Sequence, residues 1–111
     1  MKMELWEIAD KASILKVKKE KGLKVDGHYE RYMREVKDVP KELFDRLHSV
    51  NLAMFDIEEA ISRTFELREY EMAGYLYYVL RGMTHLRTEA KHAVAKWAGE
   101  LPEVKRYGSG Y

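Results

Sequence analysis

Proline occurs at only two positions, Pro40 and Pro102, and the long interval between them carries apolar residues at helical spacing. Proline breaks a helix interior, so a proline-free run with a three-and-four repeat is free to form long helices. Leu43, Leu47, Val50, Met54, Ile57 and Ile61 keep this rhythm in the first half of the interval. Met72, Leu76, Val79, Met83, Leu86, Ala90, Ala93 and Trp97 keep it in the second half. Around ELREYE the phase breaks, which places a tight turn there. No segment alternates polar and apolar residues long enough to make a strand. The sequence therefore predicts an all-α fold, a helical bundle of three to four helices dominated by a long antiparallel hairpin.

Helix ends follow from punctuation. A first helix is expected from about Met3 to Lys21, stopped by Gly22 after a lysine-rich last turn. KGLKVDGH reads as a loop and HYERYMREVK as a short second helix. Pro40 sits at the start of the third helix, which runs to about Leu67. The fourth runs from about Glu71 to Ala98 and stops at Gly99. The domain is thus expected over residues 1–99, with 100–111 a flexible C-terminal tail. The first helix is apolar on two faces, Leu5, Ile8, Ala9, Ala12 and Leu15 against Met3, Trp6, Ile14 and Val17. Such a helix lies between layers, the second layer being the short helix or another copy of the chain.

Composition removes several classes of function. Cysteine is absent, which excludes disulfides, zinc-thiolate sites and thiol catalysis. With 20 basic and 19 acidic residues no global field draws the chain to nucleic acid or anionic lipid. The opening MKMELWEIAD has no long apolar run, so neither a signal peptide nor a membrane span is expected, and the placement is cytoplasmic. Glutamine is missing altogether and Asn51 is the single asparagine, which makes that amide conspicuous.

Polar residues beside the apolar seams supply the candidate sites. Asn51 and Glu58 lie two turns apart at one edge of the third helix, and Arg87 flanks the seam of the fourth, with Arg81 and Lys91 further round. Glu58 and Arg87 are expected to pair, joined by Asn51 or an acid of the first helix. Such a network either fixes helix register or forms a pocket in which Asn51, Glu58, Arg81, Arg87 and Lys91 receive an anionic group such as phosphate or carboxylate. A rival reading uses Glu7-x-x-Asp10 and Asp56-x-x-Glu59 as paired acids on neighbouring helices. All-helical nucleoside triphosphate pyrophosphohydrolases of the MazG type hold Mg²⁺ in that way. Glu89-x-x-His92 has the spacing of di-iron bundles but projects away from the seam. Tyr75, Tyr77 and Tyr78 suit a bundle or dimer interface.

Glu7-Ile-Ala-Asp10-Lys11, Ile14-Leu15, Lys18, the run from Val50-Asn51 through Met54-Phe55-Asp56-Ile57-Glu58-Glu59 to Arg63, and then Arg81, Arg87 and Lys91 resemble a small helical family of bacteria and large tailed phages, cyanophages among them. That family has no assigned activity. The resemblance implies polar positions at Glu7, Asp10, Lys11, Asn51, Asp56, Glu58, Arg63, Arg81, Arg87 and Lys91, and a phage connection. The expectation is a small helical binding or interaction protein, homodimeric through the first helix or the tyrosines, with a possible anionic small molecule or nucleotide as ligand and no cofactor. The alternative is the Mg²⁺-dependent hydrolase.

Overall fold

The structure is a computed structural model that describes residues 3–25 and 27–100. It contains α1 (Leu5–Glu20), α2 (His28–Glu35), α3 (Lys41–Glu66) and α4 (Tyr70–Ala98), and no strand among the described residues. The ends fall where the punctuation places them. Gly22 adopts φ +79°, and the N–H groups of Gly22 and Leu23 return to the carbonyls of Lys19 and Lys18, closing α1. The Pro40 carbonyl accepts from Leu43 and Phe44 to open α3. Gly99, at φ +71°, closes α4 while the Glu100 N–H donates to the Ala95 carbonyl. Between the long helices the chain reverses through Arg68, a non-glycine residue in the left-handed region at φ 59°.

Glu100, placed by the sequence in the tail, is part of the fold. Its carboxylate oxygens accept the backbone N–H groups of Leu5 at 2.6 Å and Trp6 at 3.0 Å. These donors at the start of α1 have no partner within the helix, and the helix dipole favours an anion there. The nearby Glu4 carboxyl is held above its ordinary value, first by a hydrogen bond with Glu100 and then by desolvation and the like charges of Glu100 and Glu7. The remaining tail, 101–111, lies outside the described residues.

α3 and α4 form the hairpin, α1 packs on both of them, and α2 packs on α1. The core gathers Ile8, Ala9 and Ala12 of α1, Val36 and Val39 of the α2–α3 link, Phe44 and Leu47 of α3, and Ala90 and Val94 of α4. Tyr32 and Met33 of α2 close over it, so α1 lies between α2 and the hairpin. Several fully enclosed residues are small: Ala9, Ala12, Ser13, Ala90 and Ala95. Small side chains let three helices approach closely, and burying Leu47 among them contributes about 1.5–3 kcal/mol.

The phase of α4 differs from the expected seam. Met72, Leu86 and Trp97 are 51%, 48% and 44% exposed, whereas Ala73 and Val94 are buried. The inward stripe runs through Ala73, Leu76, Leu80, Met83, Arg87, Ala90 and Val94, rotated from the expected one by part of a turn. Between Leu52 and Glu89 only Ala73 is buried, so the outer half of the hairpin has no third layer. No helix among the described residues is long and apolar enough to cross a membrane.

Candidate functional site: a polar network beside a cleft

Where α1 meets the hairpin, six polar side chains join end to end. Arg87 of α4 donates through Nε to Asp10 Oδ1 at 3.2 Å and through Nη2 to Asp10 Oδ2 at 2.5 Å. Asn51 Nδ2 donates to Asp10 Oδ1 at 3.1 Å and to Ser13 Oγ at 3.0 Å. Carboxylates only accept, so this arrangement fixes which end of the Asn51 amide is nitrogen. Ser13, having accepted from Asn51, keeps its proton for His48 Nδ1, 3.4 Å away, and His48 Nε2 donates to Glu20 Oε1 at 2.8 Å. The His48 ring stacks on Phe44, with centroids 6.3 Å apart.

Bonds between buried polar groups are directional, so they fix one register where apolar contact alone tolerates slippage. Asp10, Ser13 and Asn51 are buried, and Arg87 and His48 reach toward the rim. Ser13, His48 and Glu20 stand in the same order as the triad of a hydrolytic serine. Ser13 has no exposed surface, so that chain fastens α1 to α3 and presents no nucleophile. Periodicity singled out neither Ser13 nor His48 for this junction. Ser13 lies among Ala9, Ala12 and Val17, and a small polar residue on a tightly packed face was the available signal.

A cleft of about 300 Å³ opens beside the network between α1 and α3. Ile14, Val17, Met54 and Phe55 form its apolar walls, and Lys18, Asn51, Glu58 and Arg87 supply its polar groups. Asn51 Oδ1 accepts no hydrogen bond from a described residue, and Arg87 Nη1 stays outside the pair with Asp10. Lys18 and Glu58 lie exposed at the mouth.

The structure therefore brings Asn51, Glu58 and Arg87 to one cleft but not Arg81 or Lys91. The acid that binds Arg87 is Asp10, not Glu58. Arg81 belongs to a separate shallow groove with Tyr78, Gly82, Thr84 and His85. The Lys91 ammonium lies 5.4 Å from the centre of the Trp6 ring. Glu7, Asp10, Asp56 and Glu59 do not converge. Glu7 Oε1 accepts the Glu4 N–H at 3.0 Å, Asp10 is held by Arg87, Asp56 pairs with Lys21, and Glu59 is exposed. The bond to Asp56 raises the Lys21 ammonium above its ordinary value. Among the described residues no three acids or histidines gather as metal ligands, and Glu89 is exposed while His92 is half-buried.

No protein-family model, no curated protein and no solved structure matches the chain.

Proposed function

We propose that the chain is a small binding protein whose ligand site is the cleft between α1 and α3. The ligand is a compact organic anion. Its phosphate or carboxylate sits between Lys18 and Arg87 Nη1, its apolar body lies against Ile14, Val17, Met54 and Phe55, and a donor group faces Asn51 Oδ1. The observation that supports this most is Asn51. Its amide nitrogen is committed to Asp10 and Ser13, while its carbonyl, in a buried residue that lines the cleft, has no partner among the described residues. That oxygen opens to the cleft and is not sealed in the core, so a ligand N–H or O–H can pair with it. The volume lies at the small end for ligand pockets, which favours a compact molecule over a bulky one.

A thermal-shift screen of small carboxylates and phosphomonoesters with apolar bodies, with and without Mg²⁺, tests this reading. A ligand present at tenfold its Kd would stabilise the fold by about 1.4 kcal/mol, a rise of several degrees in Tm. The rise should be independent of Mg²⁺ and fall sharply in Lys18→Met, whose unliganded Tm should match that of the parent because Lys18 is exposed. If no anion moves the Tm, or the shift survives Lys18→Met intact, the cleft is not an anion site.

A further inference from the structure

The helical face of the hairpin turned away from α1 carries no charged side chain along its outer half. At 100° per residue, Ala53, Ile57, Ala60 and Thr64 of α3 fall within an arc of about 60° and Met72, Tyr75, Val79, Gly82 and Leu86 of α4 within about 80°. The α3 arc lies roughly 140–160° round its helix from the residues that meet α1, and the α4 arc within roughly 90° of Arg87, Ala90 and Val94. Met72, Tyr75 and Leu86 are 51%, 65% and 48% exposed. We infer that this face docks on the same face of a second copy, so that two hairpins form a symmetric four-helix bundle.

Three features point to a second copy as the occupant. Summed over these side chains and Trp97, the exposed apolar area is on the order of 600 Å² per chain, close to the roughly 800 Å² each partner contributes to a stable dimer. Monomers rarely expose an apolar patch beyond roughly 300–600 Å², so this one lies at the top of that range. The second feature is shape. Gly82 is in mid-helix, where alanine would be the better helix former, and a Cβ there would meet nothing within 4 Å inside the chain. Its smallness serves no contact within the chain but permits close approach from outside, as do Ala53 and Ala60. Third, a charge-free face has no sign that a distinct partner must complement, and a two-fold axis joins such a surface to itself without placing like charges opposite one another. Docking would cover the outer half of the hairpin, the part that α1 and α2 leave open.

Sedimentation equilibrium of the full chain through the micromolar range tests the proposal. The expected mass is twice the chain mass of 13.1 kDa. Tyr75→Glu combined with Leu86→Glu should weaken dimerisation by at least tenfold with the helical circular dichroism unchanged. Gly82→Arg, at a position with open space around it, should act in the same way. Tyr77→Glu, exposed on the opposite side of α4, should leave the dimer intact. A 13.1 kDa species throughout the range overturns the inference, as does a dimer broken by Tyr77→Glu and indifferent to the other two variants.

Discussion

Replacing Arg87 by methionine tests whether the network carries the junction of α1 with the hairpin. The Asp10 side chain keeps 11% of its exposure and that of Arg87 keeps 30%. Methionine retains most of the aliphatic stem but leaves the Asp10 carboxylate with a single donor, Asn51 Nδ2. Breaking a buried ion pair on one side costs about 3–5 kcal/mol, and the partial exposure of Arg87 places this case near the lower end, about 3 kcal/mol. For a domain of this size that corresponds to a loss of roughly 10–20 °C in Tm. The loss should come from the stranded charge rather than from lost packing. Asp10→Asn added to Arg87→Met removes the charge, keeps an acceptor for Asn51, and should restore about 2 kcal/mol. Urea unfolding of the parent, both single variants and the double variant gives the coupling directly. If Arg87→Met lies within about 0.5 kcal/mol of the parent, or the double variant is no more stable than Arg87→Met, the reasoning fails.

Two further outcomes follow from the geometry. Glu100→Gln replaces the anion at the start of α1 with a neutral acceptor and should cost about 0.5–1 kcal/mol, with faster amide exchange confined to Leu5 and Trp6 and their immediate neighbours. The Asp45 carboxyl, bonded by Lys41 one turn earlier, is held below its ordinary 3.8. Because its folded value is depressed, this pair contributes stability above the unfolded value and loses it as pH falls through the folded value. Carboxyl NMR should show Asp45 titrating below 3.8 and returning toward it in Lys41→Ala.

Element boundaries were legible because each depends on one residue with a local rule, such as Gly22, Pro40 or Gly99. A polar junction containing Asn51 and Arg87 was legible as well, since both sit at the edges of apolar stripes. The partner expected for Arg87 was Glu58, however, with an acid of α1 only as an addition. Which acid was a harder question. Glu58 is on α3 itself and matches Arg87 in helical phase, but only the packing of α1 decides that Asp10 comes within reach. The phase of α4 misled because that helix carries two overlapping apolar stripes. Large residues such as Met72, Leu86 and Trp97 dominate a hydrophobicity pattern, yet the close three-helix junction selects small ones, Ala73, Ala90 and Val94. Periodicity weighs side chains by their greasiness, whereas tight packing selects them by their size. The link from Ser13 through His48 to Glu20 has no period at all and became visible only once α1 and α3 were in contact.

The bond from Glu100 to Leu5 has an architectural result. The polypeptide enters and leaves the folded body at one pole, and α4, at 29 residues, spans about 43 Å from there to the turn at Arg68. The first and last turns of the described body are thus tied together at one end, with the Arg68 reversal at the other, like a bracket with both screws at its root.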